Sequence, residues 1–170
     1  MEVPIDDSAD RIFDHKGKIK GVVLVFRDVT VQRQLQEAMF VYQYIFSNAS
    51  DAIIGCDIDY RIINWNRAAE KMYGYPKNEV INSLIWEIVN TGPDDGAYHE
   101  LLKSLQDTGE WSGEMLHKNK NDQGIQILSS ASYMKDSDGD HIGFIFINRD
   151  ITERKKAEEK RKKIMESAPD

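Results

Sequence analysis

The segment Asp136–Thr152, DSDGDHIGFIFINRDIT, decides the fold, because the earlier segment Asp14–Thr30, DHKGKIKGVVLVFRDVT, follows the same pattern. Each begins with an Asp-x-x-Gly turn, continues through a second glycine into an apolar run, and ends in Arg-Asp-x-Thr. The run Phe144–Ile147 presents apolar side chains to both faces of a strand, which is typical of a strand covered on both sides. Matched positions lie 122 residues apart throughout, from 14 to 136 and from 30 to 152. This constant offset indicates two copies of one structural unit.

The repeat divides the chain into one complete unit between two partial ones. A shorter match between Ile45–Asp51 and Ile164–Asp170, at an offset of 119 residues, indicates the start of a further unit. We therefore expect a piece of a tandem array, in which the first hairpin docks on a neighbour or pairs across a dimer because its edges are open. The predicted segments are the end of a preceding unit at 1–30, a helical linker at 31–46, a complete unit at 47–152, a charged helix at 153–166, and the start of a next unit at 167–170.

Apolar periodicity predicts the order of strands and helices within the complete unit. Two short strands at 52–57 and 61–65 precede a block of helices, which starts after Asn66, a residue suited to an N-cap, and ends before Gly109. Strands grouped on both sides of a block of helices predict an α+β fold with an antiparallel sheet. The three remaining strands are expected at about 110–118, 125–135 and 141–149.

Composition and charge exclude several classes of protein. The chain is 41% hydrophobic and 30% charged with a net charge of −7, which is ordinary for a globular domain and unsuited to nucleic acid. Its one cysteine, Cys56, excludes an internal disulfide framework and a cysteine-rich zinc module. The longest uncharged run, Ala38–Ser50, is too short to span a bilayer, and the acidic start lacks a secretory signal, so we expect a cytoplasmic protein. The basic run at 153–163 alternates with glutamate and favours a solvated helix.

The spacing of reactive residues predicts neither a catalytic site nor a metal site. The histidines have no metal-ligand spacing with Cys56, and the aspartates from Asp136 to Asp140 lack the glycine and glutamate of a calcium loop. The segment His99–Ser104, HELLKS, resembles the phosphoacceptor box of histidine kinases but lacks its proline, and no glycine-rich segment for ATP is present. We therefore expect no enzymatic activity from this chain itself.

An ordered set of motifs resembles a PAS domain with its C-terminal PAC portion, over about residues 41–152. These motifs are Phe46–Ile54 (FSNASDAII), Asp59–Ala69 (DYRIINWNRAA), Gly74-Tyr75-Pro76, Glu79, Gly109–Glu114 (GEWSGE) and Arg149–Thr152 (RDIT). The resemblance implies a five-stranded antiparallel sheet with short helices on one face, a small cavity between them, and flanking signalling helices.

The same resemblance implies a sensory or relay module of a cytoplasmic signalling protein, most often a sensor histidine kinase of a two-component system. A ligand or a neighbouring domain would perturb the sheet, and the change would pass through a junction into the helix at 153–166 and alter its pairing in a homodimer. The implied partners are neighbouring PAS domains, an output kinase domain and a possible small molecule, without nucleic acid or membrane insertion. The junction residues are Asn66, Arg149, Asp150 and Thr152.

The identity of a bound group stays open between none, heme and flavin. The heme-ligating position of the family falls on Tyr98, and His99 lies one residue later, about 100° further around a helix. The reactive-cysteine segment of flavin-binding photosensors is absent, since Cys56 lies on the first strand of the unit. A ligand-free dimerisation module is the alternative if the core packs without a void. The side chains expected to line the cavity are Ile54, Cys56, Ile63, Trp65, Met72, Trp86, Tyr98, His99, Leu102, Met115, Leu128, Ser130, Phe144 and Phe146.

Overall fold

The computed structural model describes residues 3–89 and 96–166, and the chain divides into two compact units, Met1–Ile45 and Phe46–Asp170. The predicted start of a further unit at 167–170 lies outside the described residues. Each unit is built around antiparallel strands.

The first unit is a hairpin followed by a helix. Strands β1 (Ile5–Phe13) and β2 (Ile19–Asp28) pair with each other, and helix α1 (Thr30–Asn48) follows directly. Apolar side chains of both strands are exposed, including Leu24 at 60% and Phe26 at 62%. The sequence pattern of a covered strand is therefore present in a hairpin whose faces are open.

The second unit contains a five-stranded antiparallel sheet, as predicted. Its strands are β3 (Ala52–Cys56), β4 (Ile62–Trp65), β5 (Glu110–Lys118), β6 (Gly124–Lys135) and β7 (His141–Asp150). They lie in the order β4-β3-β7-β6-β5. Strands β3 and β7 are neighbours although 84 residues separate their ends, so the helices between them cross one face of the sheet.

Five helices complete this unit, and its core lies between the sheet and the shorter ones. Ala69 and Tyr73, four residues apart on one helix, are fully buried, and so are Ile54 and Ile62 of the sheet. The last helix is charged and has no buried residue among those described. The helices are α2 (Arg67–Tyr73), α3 (Lys77–Val80), α4 (Ile85–Val89), α5 (Gly96–Thr108) and α6 (Thr152–Glu166).

The hairpin β1–β2 repeats the strand register and the turn of β6–β7. Both turns close on an aspartate that accepts from two backbone N–H groups, and both pairings shift register at matched positions. Both second strands end in an aspartate whose Oδ1 accepts from the backbone N–H of a threonine 2.8 Å away. The matched residues are Ile12 with Met134, Asp14 with Asp136, Asp28 with Asp150, and Thr30 with Thr152.

Candidate functional site

A small cavity lies between the inner face of the sheet and helices α4 and α5. Its volume, measured as the space open to the centre of a water molecule, is about 30 Å³. A single water needs about 10–15 Å³ by the same measure. The cavity therefore has room for two waters or for a molecule of a few heavy atoms. The lining residues are Tyr60, Ile85, Trp86, Val89, Tyr98, Leu101, Met115, His117, Ser129, Phe146 and Asn148.

Aromatic rings form one wall of the cavity. The ring of Tyr60 lies 5.0 Å from that of Trp86 and stacks on Phe144 at 4.3 Å, and Trp86 contacts Tyr98 edge-on at 6.0 Å. Burial raises the pKa of both Tyr60 and Tyr98, so both hydroxyls stay protonated at neutral pH. The rings of Tyr60 and Trp86 are inclined by 52° and those of Trp86 and Tyr98 by 77°, and none of them carries a charge.

A buried chain of three polar side chains forms the opposite part of the site. The Nδ2 of Asn148 donates to the hydroxyl oxygen of Tyr73 at 2.8 Å, and that hydroxyl lies 2.8 Å from Nδ1 of His117. With the Tyr73 proton directed to Nδ1, His117 carries its own proton on Nε2. All three residues are buried, and the exposed fraction is 1% for Asn148 and 5% for His117. These hydrogen bonds therefore connect helix α2 to strands β5 and β7 through the core.

One end of this chain is left without a partner. The Oδ1 of Asn148 is buried and accepts no hydrogen bond from any residue that the structure describes. The residues that face Asn148 on the adjacent strands, Ala52 on β3 and Ser129 on β6, are both small. They therefore leave room for the Asn148 amide at the cavity. An unsatisfied buried acceptor costs about 1–3 kcal/mol, so this atom marks the cavity as a place where a polar molecule gains a contact.

The protonation of His117 gives a testable dependence of stability on pH. Desolvation by burial lowers its pKa to about 3, whereas an unfolded histidine titrates near about 6.5. The unfolded chain therefore takes up a proton between pH 6.5 and 3 that the folded chain does not, and stability is lost as the pH falls through this window. At pH 5 we expect a loss of about 2 kcal/mol from this group, measured by urea unfolding followed through tryptophan fluorescence.

The control is a pair of glutamine substitutions. His117→Gln keeps an acceptor for Tyr73 and should remove the loss between pH 7 and 5. His15→Gln, in the exposed turn of the first hairpin, should leave it unchanged. An identical pH dependence in wild type and His117→Gln would contradict the assignment.

Four of the residues predicted to line the cavity lie at it: Trp86, Tyr98, Met115 and Phe146. A second group, Ile54, Cys56, Trp65 and Phe144, is buried in the surrounding core without lining the cavity. Burial raises the pKa of the Cys56 thiol to about 12, so it stays protonated and is not a reactive thiolate.

Six predicted positions need correction, and periodicity explains each error. On β6 the residues that face the cavity side are odd-numbered, so Ser129 points inward while Leu128 and Ser130 point to the other face. A bulge in the β3–β4 pairing turns Ile63 outward, and it is 41% exposed. The helical positions Met72, His99 and Leu102 each miss the cavity by one residue, since Tyr98 and Leu101 line it and Tyr73 is the inward residue of α2.

The polar part of the site lies outside the residues predicted from the sequence. Asn148 continues the alternation of Phe144 and Phe146 on β7, and His117 continues that of Trp111 and Met115 on β5. A polar residue at an inward position of a buried strand is the signal that could have identified both.

The space between the described residues does not fit heme or a flavin ring system. Both are far larger than a cavity that holds two waters, and the exposed His99 is not among its lining residues. Among the described residues, no group of three histidine, cysteine, aspartate or glutamate side chains is placed to hold a metal ion.

The junction predicted at the end of β7 forms a connected set of polar contacts. Arg149 makes a two-pronged pair with Asp51, with Nη2 to Oδ2 at 2.8 Å and Nε to Oδ1 at 3.1 Å. Asp150 accepts from the N–H of Thr152, and the Thr152 hydroxyl accepts from the N–H of Gln126 at 3.0 Å. These contacts fix the start of α6 against the edges of β6 and β7.

The side chain of Asn66 makes hydrogen bonds to three different segments of the chain. Its Oδ1 accepts from the N–H groups of Ile53 and Ala69, and its Nδ2 donates to the carbonyl oxygens of Phe46 and Asp51. One amide side chain thus caps α2, holds the start of β3 and binds the last turn of α1.

A five-stranded antiparallel sheet that closes with short helices over a small cavity, and leads directly into a helix, is the architecture of a sensory domain. The chain belongs to the PAS domain family: a family model with the description "PAS domain" matches residues 50–153. Among the described residues, no helix combines the length and the apolar composition needed to cross a membrane.

Two solved PAS domain structures agree with this assignment, and a curated relative aligns with most of the chain. The PAS domain of a protein from Colwellia psychrerythraea is 27% identical, with a TM-score of 0.63 over 68% of this chain and 98% of that chain. The PAS domain of an HTR-like protein from Haloarcula marismortui shares the fold at 21% identity, with a TM-score of 0.58 over 71% of this chain and 98% of its own. The curated relative "Probable diguanylate cyclase DgcE" of Escherichia coli K12 is 25% identical over 156 residues, which are 87% of this chain and 14% of that protein.

Proposed function

We propose that this chain is a sensory relay module in a tandem array of PAS units, within a cytoplasmic signalling protein. It converts a change at the cavity or in a neighbouring unit into a change at helix α6. The proposal is supported by one observation: three consecutive residues at the end of β7 contact the cavity, the start of the unit and helix α6 in turn. Asn148 lines the cavity, Arg149 pairs with Asp51, and Asp150 caps α6.

The path from the cavity to the helix is short and well connected. Any shift of β7 that repositions Asn148 also moves Arg149 and Asp150, because strand residues are rigidly linked through the backbone. Ile151, which is 4% exposed, anchors the end of the path through its N–H to the carbonyl oxygen of Gln126 at 2.8 Å. The start of α6 therefore follows the end of β7 rather than moving independently.

Helix α6 has the properties of a weakly held output element. Its first turn is attached to the sheet by Arg154 and Lys155, which both pair with Glu114 on β5. The remainder is charged and exposed, with Ile164 at 59% and Met165 at 76% exposure. A helix held at one end only can change its pairing with a second helix at low cost, which suits a relay in a homodimer.

The repeated hairpin supports the tandem array. Asp28 accepts from Thr30 as Asp150 does from Thr152, and in both copies a helix begins at that threonine. We infer that β1 and β2 are the last two strands of a preceding unit, whose own neighbouring strands cover their open edges. The same junction then operates at the input and the output of the complete unit.

The output domain is a further part of the proposal. The family resemblance favours a histidine kinase, whereas the relative of 25% identity is named a probable diguanylate cyclase, so a cyclase is the second candidate. Incubation of the longer protein with labelled ATP and with GTP distinguishes the two, since a histidine kinase becomes phosphorylated and a cyclase consumes GTP.

The test of the relay is Asp150→Ala in the longer protein. Loss of the cap costs about 1 kcal/mol at the start of α6, so the unit stays folded while the junction loosens. We expect the output activity to become insensitive to the input signal. Asp138→Ala, at the exposed tip of the β6–β7 turn, removes the same charge and should respond as wild type does. An unchanged response in Asp150→Ala would contradict the relay.

A ligand-free dimerisation module is the alternative that the small cavity favours. If two waters fill it, the unit has nothing to sense and serves only to hold two copies together. In that case neither substitutions in the cavity nor Asp150→Ala should change the response of the output.

A further inference from the structure

We propose that the cavity binds a small, neutral, planar molecule that carries both a hydrogen-bond donor and a hydrogen-bond acceptor, such as an azole or a primary amide. This inference rests on the proposed function, in that it identifies the chemical class of ligand to which the relay responds. It is carried by the unpartnered end of the Asn148–Tyr73–His117 chain.

The chain of hydrogen bonds has two ends that make no hydrogen bond to any residue that the structure describes. Tyr73 lies in the middle and uses its hydroxyl for both neighbours. The ends are the buried Oδ1 of Asn148 and Nε2 of His117, since Nδ1 of His117 is taken by Tyr73. Both residues line the cavity.

The direction of the hydrogen bonds does not change the requirement on the ligand. As assigned, the ends are an acceptor, Oδ1 of Asn148, and a donor, the Nε2–H of His117. If the donor and acceptor of every hydrogen bond between these residues were exchanged, Asn148 would offer an N–H group, and Nε2 of His117 would be unprotonated and act as an acceptor. In either case a ligand satisfies both ends only if it carries one donor and one acceptor.

The rest of the lining selects for a neutral and flat molecule. None of the described lining residues is an aspartate, glutamate, lysine or arginine, so an ion entering the cavity would lose its hydration without a counter-charge. The rings of Tyr60, Trp86 and Tyr98 are inclined to one another by 52° and 77°, so a planar group packs against the face of one ring at a time. The volume limits the ligand to a single small ring or an amide of a few heavy atoms.

The experiment is a titration of the chain with pyrazole, which carries an N–H beside a ring nitrogen, and with isoxazole, which has the same size and no donor. Binding is followed by the ¹H–¹⁵N signals of the protein, including the side-chain amide of Asn148. We expect pyrazole to bind in the millimolar range, as small fragments do, to shift the Asn148 amide, and to bind about tenfold more tightly than isoxazole.

Two variants locate the site. Asn148→Leu keeps the shape of the side chain and should weaken pyrazole binding about tenfold, whereas Ser130→Ala, on the outer face of the adjacent strand, should bind as wild type does. If Asn148→Leu fails to fold, the comparison of pyrazole with isoxazole on the wild-type chain decides alone. Equal affinity for the two rings, or shifts confined to residues outside the cavity, overturns the proposal.

This test is separate from that of the relay. Asp150→Ala leaves the cavity intact and should bind pyrazole normally, even where it abolishes the output response. If pyrazole fails to bind while the output response still depends on Asp150, the ligand class is rejected and the relay is kept. The reverse result would keep the ligand site and reject the relay.

Discussion

Gly143→Ala is expected to destabilise the second unit by about 3 kcal/mol or more, because the added carbon has no space. A Cβ at Gly143 would overlap the carbonyl oxygen of Cys56 and lie 3.0 Å from Cε of Met134. Cys56 belongs to β3, which pairs with β7 at the centre of the sheet, so relief of the overlap requires these two strands to separate. Urea unfolding followed by tryptophan fluorescence measures the loss, since Trp65, Trp86 and Trp111 all lie in this unit.

The repeat supplies the matched control. Gly21 is the counterpart of Gly143 in the first hairpin, and a Cβ there meets nothing within 4 Å. Gly21→Ala should therefore leave the unfolding curve within about 0.5 kcal/mol of wild type. In a longer protein that supplies the preceding unit, the same substitution should become as destabilising as Gly143→Ala. Equal stability of Gly143→Ala and wild type would contradict the close pairing of β3 with β7.

Asn66→Ala is expected to cost about 3 kcal/mol, since it removes four hydrogen bonds from a side chain that is 2% exposed. The N–H groups of Ile53 and Ala69 and the carbonyl oxygens of Phe46 and Asp51 would all lose their amide partner. Chemical unfolding and circular dichroism measure the loss of stability and check that the fold is retained.

A graded series separates the cap from the other contacts of Asn66. Asn66→Ser retains an acceptor for the N–H of Ala69 and should recover about 1 kcal/mol relative to alanine. Asn78→Ala, at an exposed position on α3, should lie within about 0.5 kcal/mol of wild type. If Asn66→Ala were no more destabilising than Asn78→Ala, the amide would not be holding these segments together.

Much of this fold could be predicted because its signals are local. The strands, the cap at Asn66 and the turn at Asp136 each depend on residues within a few positions of one another, and the motif order gave the family. The repeat could also be predicted from the sequence, since the aspartates and glycines at matched positions make the same turns and caps in both copies.

The polar site could not be predicted because its parts are distant in the sequence. Tyr73, His117 and Asn148 come together only when α2, β5 and β7 pack. The inward face of β6 also depends on its register with β7, in which Ser129 opposes Asn148, and a shift of one residue reverses the assignment of Leu128 and Ser130. The bulge that exposes Ile63 is likewise a property of the pairing rather than of the strand.

The coupling of the cavity to α6 is the central claim, and amide hydrogen exchange tests it most directly. Trp86→Ala enlarges the cavity from the side opposite the sheet, while Leu102→Ala truncates a half-buried residue that does not line it. Relative to the amides of β3, we predict that Trp86→Ala changes exchange at Lys155, whose N–H donates to Ile151, by roughly threefold. Leu102→Ala should have no such effect, and Asp150→Ala combined with Trp86→Ala should abolish the change. Unaltered exchange at Lys155 in Trp86→Ala, with altered exchange around the cavity, would contradict the account.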